Sequence, residues 1–325
     1  MFQSISLVFI WLSAGASAEC SRALLKDATD QYVSAQSSGQ IATLISLAPN
    51  LTYTENEKPL DIKTGVLSQP IKLDQNLSIH DTTLCATFTQ LIAANSEHPY
   101  VIGTRMLFTD DKITTIESIV TDQGDWLFNA TGYLHWTSLE NWDPIPEDKR
   151  DSREVIQAAG DAYFNRFQNV NVSVPYGTPC ARLEGGAYTD SSGTGGNTCN
   201  LGVPSNTTVT KRRYVIDEEM GVVDIYLGFP GLDRSVGNEP MPDSHMFRVE
   251  EGKIRYIHTL SSCVNPGCGL NTTIIPTRRR RIPLIRGLNT LKPKPRSFRV
   301  PEGQTDVHFM ASENCKQRPK LRRTL

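Results

Sequence analysis

The sequence predicts an α+β protein of two cone-shaped domains, each an N-terminal helix packed in a curved antiparallel sheet. Three observations predict it. Two amphipathic helical segments, near 21–35 and 153–167, each precede a run of β-branched and aromatic residues. Four short patterns recur in the same order in both halves at offsets of 131, 135, 136 and 141 residues, as a duplication with loop insertions leaves them. One amphipathic helix cannot cover both faces of a long sheet, so the sheet must curl around it. The expected layout is a leader at 1–18, a first domain at 19–143, a second at 144–270 and a basic disordered tail at 271–325.

The N-terminus reads as a cleaved secretory signal. Ile5 to Trp11 is an apolar core and Ala16-Ser17-Ala18 a small-x-small cleavage site, although Met1 to Ser4 carry no Lys or Arg. The apolar run is too short for a membrane span, so a secreted protein is expected, cleaved near Ala18. Sequons at Asn50, Asn76, Asn129, Asn171, Asn206 and Asn271 fit that route and place those asparagines at the surface. The seven cysteines then read as disulfides. Cys263 and Cys268 close an Asn-Pro-Gly turn, Cys180 and Cys199 bracket a Gly/Ser/Thr-rich loop, and Cys20 and Cys85 remain to tie the N-terminus to a strand. Cys315 is left over. No Cys or His spacing suits a metal.

The first helix is set by Leu24, Leu25, Ala28 and Tyr32, which fall on one face. Leu51 to Thr54 reads as a short strand, Leu77 to Ile92 as a strand pair, and Tyr100–Phe108 with Ile113–Val120 as a hairpin. Gly124 to Trp136 reads as extended and aromatic, and Trp142 to Pro146 as a linker. Asp151 and Glu154 have the spacing of a capping box for the second helix, whose apolar face is Val155, Ile156, Ala159, Tyr163 and Phe167. Strands are expected near 181–188, 212–216, 221–228, 245–249 and 254–260. A bulge or close backbone approach is expected at Gly185-Gly186.

The repeated patterns pair Leu24, Ala28, Asp30 and Tyr32 with Val155, Ala159, Asp161 and Tyr163. They pair Tyr53-Thr54-Glu55 with Tyr188-Thr189-Asp190, His80-Asp81 with Ile216-Asp217, and Ile113 and Ile116 with Ile254 and Ile257. On these residues each half resembles the SnoaL-like fold of the nuclear transport factor 2-like superfamily, over about 21–136 and 152–264. With its leader and its Gly124-Asp125-Trp126, Pro242-Asp243-Ser244-His245 and Arg255-Tyr256-Ile257-His258-Thr259 segments, the whole chain also resembles a group of uncharacterised secreted fungal proteins, which implies no activity. The superfamily resemblance implies a site inside the cone, worked by Asp, His, Tyr or Arg aimed from strands into an apolar pocket, in lyases, isomerases, cyclases or hydrolases.

Candidate site residues concentrate in the second half. His258 and His245 are the expected acid–base groups, with Asp217 or Asp224 orienting them, Tyr256 as a donor and Arg213 as the binder of an oxyanion. The duplication sets His258 against Glu117 and His245 against Thr104. The competing reading is that these groups make satisfied polar contacts on a half-exposed sheet. His80 and Asp81 fall on opposite faces of a strand. Trp126, Trp136 and Trp142, with Tyr133 and Phe128, form either an aromatic wall for a ligand or packing between the domains.

No GxSxG, HExxH, P-loop or dinucleotide fingerprint is present, which argues against serine hydrolase, zincin and nucleotide-dependent chemistry. The net charge of −2 hides an asymmetry: residues 277–325 hold 14 Lys and Arg against 3 Asp and Glu. That basic stretch, including Arg278 to Arg281, reads as a binder of an anionic surface or polysaccharide, as a processing site, or as an artefact of the gene model. The expectation is a cofactor-independent lyase, isomerase or cyclase acting on a small, largely apolar metabolite. The alternatives are a binding module for a small hydrophobic ligand or a cell-wall glycan, and a structural protein whose cones pair. No cofactor, nucleic acid or membrane span is expected, and the oligomeric state is not readable.

Overall fold

The computed structural model describes residues 20–200, 206–233, 236–237 and 239–268. The leader, Asn271, Cys315 and the basic tail lie outside the described residues. Helix α1 (Arg22–Ser38) starts where Ser21 Oγ accepts the Leu24 amide at 3.2 Å and stops at Gly39, whose φ of 67° lets the backbone turn left-handed. It buries Leu25, Ala28, Tyr32 and Ala35. Six strands follow: β1 (Leu47–Glu55), β2 (Lys58–Pro59), β3 (Gln75–Asp81), β4 (Ala86–Ala93), β5 (Tyr100–Thr109) and β6 (Lys112–Thr121). A short helix, α2 (Ala130–Thr137), leads to α3 (Arg153–Gln168), and the strand pattern repeats. The second set is β7 (Tyr176–Glu184), β8 (Ala187–Tyr188), β9 (Thr210–Asp217), β10 (Val222–Phe229), β11 (Met241–Glu250) and β12 (Lys253–Ser261).

The two sheets have one topology: β2-β1-β6-β5-β4-β3 and β8-β7-β12-β11-β10-β9. Neighbours are antiparallel except for one parallel pair in each, β1 with β6 and β7 with β12, so the sheets are mixed. Each helix fills the concave side of its own sheet. Around α1 lie Tyr53, Leu91, Ile102, Met106, Phe108, Ile113 and Ile116. Around α3, whose Ile156, Tyr163, Phe164 and Phe167 point inward, lie Ile225, Phe229, Phe247, Val249 and Ile257. A large side chain buried this way contributes about 2 kcal/mol through its apolar area alone. The opposite faces meet each other: Ile79, Phe88, Ile92, Val101 and Ile119 pack with Val215, Val222, Tyr226, Met246 and Leu260. Both sheets lie in one compact unit.

Strand β3 packs against β9, and there the halves exchange partners. Arg22, the first residue of α1, clamps Asp217 of the second half through two bonds of 2.9 Å. Arg153, the first residue of α3, clamps Asp81 of the first half through two bonds of 2.7 Å. Asp217 also accepts the His80 amide at 2.8 Å, and Asp81 accepts the Ile216 amide at 2.8 Å. These pairs occupy matching positions, so the clamps are related by the duplication itself.

Several expectations change. Residues 130–137 are helical, because Asn129 caps them by accepting the Gly132 amide at 2.9 Å. Ser152 stands at the N-cap of α3, Glu218 accepts the Arg153 amide at 3.0 Å, and Asp151 instead accepts the Gly252 amide at 2.8 Å. Gly185 and Gly186, at φ 59° and 129°, form the two-residue turn between β7 and β8 rather than a bulge. A side chain at either would strike the backbone of Trp126 or Asn129 at 2.3 or 2.2 Å. The Tyr188 pattern is displaced by one strand. In register, Tyr53 of β1 faces Ile116 and Arg182 of β7 faces the equivalent Ile257, whereas Tyr188 lies on β8. Cysteine pairs 20–85, 180–199 and 263–268 are bonded, with Cα separations of 5.3, 5.5 and 5.5 Å. Asn50, Asn76, Asn129, Asn171 and Asn206 are exposed. No helix among the described residues is long and apolar enough to cross a membrane.

Candidate functional site

The register of β11 on β12 decides which candidates can meet. His245 pairs with Thr259 and Met246 with His258, so the two histidines point to opposite faces of the sheet. His245 enters the second cone, while His258 and Tyr256 look toward the first sheet. Asp217 orients neither, being held by Arg22 and by the Glu219 and Met220 amides. Arg213 is committed as well: it pairs with Glu57 and, at 3.3 Å, with Glu117, and its guanidinium lies 5.7 Å from the Tyr226 ring centre. Asp224 is buried between the sheets, where Ser244 Oγ donates to its Oδ1 at 2.6 Å and its Oδ2 has no partner. Burial pushes its carboxyl well above the usual range.

Inside the second cone, Asp243 Oδ1 meets His245 Nδ1 at 2.5 Å, and Ser261 Oγ donates to Asp243 Oδ2. Asp243 is fully buried and His245 nearly so. Four aromatic rings surround the imidazole: Phe164 at 5.0 Å, Tyr163 at 5.6 Å, Phe247 at 6.1 Å and Phe229 at 6.4 Å. The first cone shows what the fold itself requires at these positions. At the 141-residue offset it places Ile102, Thr104 and Val120 where the second places Asp243, His245 and Ser261. Its polar groups form a closed chain, Tyr32 hydroxyl to Thr104 Oγ1 at 2.6 Å and on to Ser118 Oγ at 2.8 Å. The matching Thr259 Oγ1 of the second cone is buried without a partner. An Asp–His pair in an apolar cone costs desolvation that the sister copy avoids.

A second polar cluster lies between the sheets. His258 Nε2 meets Glu140 Oε2 at 2.5 Å, and its Nδ1 faces Gln90 Oε1 at 3.2 Å. Trp142 Nε1 donates to the same Glu140 oxygen at 3.1 Å, and the Tyr133 hydroxyl donates to Gln90 Oε1 at 3.0 Å. Both ring nitrogens of His258 are therefore used by the protein. Tyr133 keeps its phenol proton because of burial first and the nearby Glu140 and Asp224 charges second. Tyr188 does so through burial and Glu140. Tyr256 is half-buried, with its ring 5.6 Å from that of Trp142. Trp136 stacks on Tyr188 at 4.6 Å. In the first half the position of His258 belongs to Glu117, which pairs with Arg105 at 2.6 Å. Trp136 and Trp142 thus pack the join between the halves.

Sequence reasoning missed Asp243, Ser261, Glu140 and Gln90. Asp243 had a signal, because a residue two before His245 on a strand shares its face. Glu140 had none, since it reaches His258 from the connection between the halves.

A family model described as a domain of unknown function, DUF8021, matches residues 149–261, the span of the second cone. No curated protein matches the chain in sequence. Among solved structures, AclR, a proposed hydroxylase from Streptomyces galilaeus, is similar at 10% identity over 42% of this chain and 95% of its own, with a TM-score of 0.24.

Proposed function

We propose that the chain is an extracellular glycoprotein whose second cone performs cofactor-independent acid–base chemistry on a small, largely apolar metabolite. The reaction is of lyase, isomerase or cyclase type, and the SnoaL-like resemblance supports looking for it inside a cone. One observation carries the reading: the buried Asp243–His245 pair stands where the duplicated cone has Ile102 and Thr104. Asp243 holds the Nδ1 side of the imidazole, which leaves Nε2 as the nitrogen that exchanges a proton with substrate. The rings of Tyr163, Phe164, Phe229 and Phe247 supply apolar walls. Three disulfides and five exposed sequon asparagines support the extracellular, glycosylated part of the reading.

The test is turnover of a panel of small apolar carbonyl and hydroxy compounds by the full chain and by His245→Ala. A loss of about 100-fold or more is expected for an acid–base group. Unchanged turnover of any processed compound removes His245 from the chemistry.

The second reading is a non-catalytic binding module for a small hydrophobic ligand or glycan. It is favoured by the occupation of both ring nitrogens of His258 by protein groups. Saturable binding of a panel compound with no turnover would decide for it.

A further inference from the structure

In the first cone the helix tyrosine is bonded to the sheet. The Tyr32 hydroxyl on α1 meets Thr104 Oγ1 at 2.6 Å, and Thr104 meets Ser118 Oγ at 2.8 Å. On α3 the same place belongs to Tyr163, and on β11 and β12 the places of Thr104 and Ser118 belong to His245 and Thr259. His245 turns its Nδ1 to Asp243 instead. The chain of bonds therefore comes apart at both ends. Thr259 Oγ1 is left without a partner. The Tyr163 hydroxyl likewise has none among the described residues, only burial and nearby charges acting on it. The two ends differ in access. Thr259 Oγ1 is sealed from solvent, whereas the Tyr163 oxygen and His245 Nε2 are not; their residues stay 2% and 4% exposed.

The other polar groups of this cone are engaged. Arg182 on β7 pairs with Glu184 and donates to the Cys199 carbonyl at 3.4 Å. Asp243 holds His245 and accepts from Ser261. What remains is one donor and one basic nitrogen, on rings whose centres are 5.6 Å apart. Burial holds the Tyr163 phenol well above its usual range, so it keeps its proton and donates. Asp243 accepts at Nδ1, so the neutral imidazole carries its proton there and presents a lone pair at Nε2. Phe164, Phe229 and Phe247 make the surroundings apolar. A donor and a base on neighbouring rings match a molecule with an acceptor oxygen beside an acidic C–H.

We propose that Tyr163 is a further catalytic residue of the second cone, donating to the oxygen of a small enolisable ketone while His245 Nε2 takes the proton from the adjacent carbon. This rests on the reading of His245 given above and narrows it to a substrate class and a first step, enolisation. The C–H bond breaks and its electron pair forms the carbon–carbon double bond. The carbonyl pair moves onto oxygen, where the phenol stabilises it by a hydrogen bond and keeps its own proton. The imidazolium then returns a proton to the enolate, so the step needs no other reactant.

The full chain, Tyr163→Phe, His245→Ala and Tyr32→Phe are compared. NMR in heavy water follows exchange of the α-protons of cyclohexanone and acetophenone. Titration follows binding of para-nitrophenolate, whose oxygen stands in for that of an enolate, and of nitrobenzene, which lacks it. The parent should speed exchange of at least one ketone and prefer the phenolate. Tyr163→Phe should slow the exchange about 100-fold, the worth of one donor to a developing oxyanion. It should bind the phenolate about tenfold more weakly and nitrobenzene as before. A hydroxyl without a protein partner adds nothing to the fold, so Tyr163→Phe should melt no lower than the parent. Tyr32→Phe, which breaks the bond to Thr104, should melt about 2–4 °C lower. A Tyr163→Phe protein that melts as low as Tyr32→Phe overturns the proposal, because the hydroxyl then serves the fold. So does a parent that exchanges neither ketone, or one that binds nitrobenzene as tightly as the phenolate. Exchange lost in His245→Ala but kept in Tyr163→Phe overturns it and leaves the reading of His245 standing. Exchange kept in both variants overturns both.

Discussion

Two buried titratable groups push the stability of this protein in opposite directions with pH. Asp224 has its carboxyl raised well above 3.8 by burial, against the lowering effects of Ser244 and Arg105. Its folded value exceeds its unfolded one, so its contribution is fully present below about pH 3.8 and is lost as the pH rises and the unfolded chain ionises first. His80 works the other way. Burial, then Arg22, lowers its value from 6.5 to about 4, so the unfolded chain takes up its proton first as the pH falls through that window. Asn at 224 keeps an acceptor for Ser244 and cannot ionise. The Asp224→Asn protein should therefore lose less stability than the parent between pH 4 and pH 7. Urea melts at the two pH values measure it, and parallel losses in the two proteins would place the pH effect elsewhere.

At the scale of strands, the duplication supplies a control written into the same chain. Strands β5 and β6 build a cone with Ile102, Thr104 and Val120, whereas β11 and β12 build the same cone with Asp243, His245 and Ser261. A buried ion pair replaced by well-packed apolar residues is usually neutral or stabilising, by about 1–4 kcal/mol. Carrying the first cone's residues into the second, as Asp243→Ile, His245→Thr and Ser261→Val together, should raise the melting temperature and abolish any turnover by the second cone. A destabilised triple variant would mean that the polar set holds the cone together, and the catalytic proposal would lose its support.

This pair of strands also shows what the sequence made legible. Alternation and the ordered offsets were enough for both helices, the hairpins, the duplication and the His245–Thr104 and His258–Glu117 correspondences, because those are local or repeated features. The helix at 130–137 was hidden by Gly132 and by aromatic and β-branched residues of low helix propensity, and only the Asn129 cap reveals it. Strand β7 was misplaced because Gly177 and Pro179 interrupt its apolar run. The candidate site was half legible. His245 could be named as a candidate, but its separation from His258 depends on a face assignment across two strands. Glu140 depends on where the connection between halves comes to rest, which leaves no local trace.

At the scale of the molecule, the exchanged clamps make each half part of the other's structure. The Asp81 and Asp217 side chains are fully buried, and each is held by an arginine and a backbone amide that belong to the other half. Separating the halves breaks both clamps and both cross-half amide bonds and exposes the apolar join to water. The sheets bring Ile79, Phe88 and Val101 against Val215, Val222 and Met246 at the same place. The described two-sheet region should therefore unfold in one cooperative transition. Asp217→Asn should cost about 2–3 kcal/mol, less than a fully buried pair because Arg22 is partly exposed and keeps Glu219 as a partner. Asp81→Asn should cost about the same by the symmetry of the two clamps. The double variant should cost less than the two losses added, because opening the join through one clamp already weakens the other. Urea unfolding followed by tryptophan fluorescence and by circular dichroism measures all three proteins. Two resolved transitions in the parent, or strictly additive losses, would show that each half stands without the other.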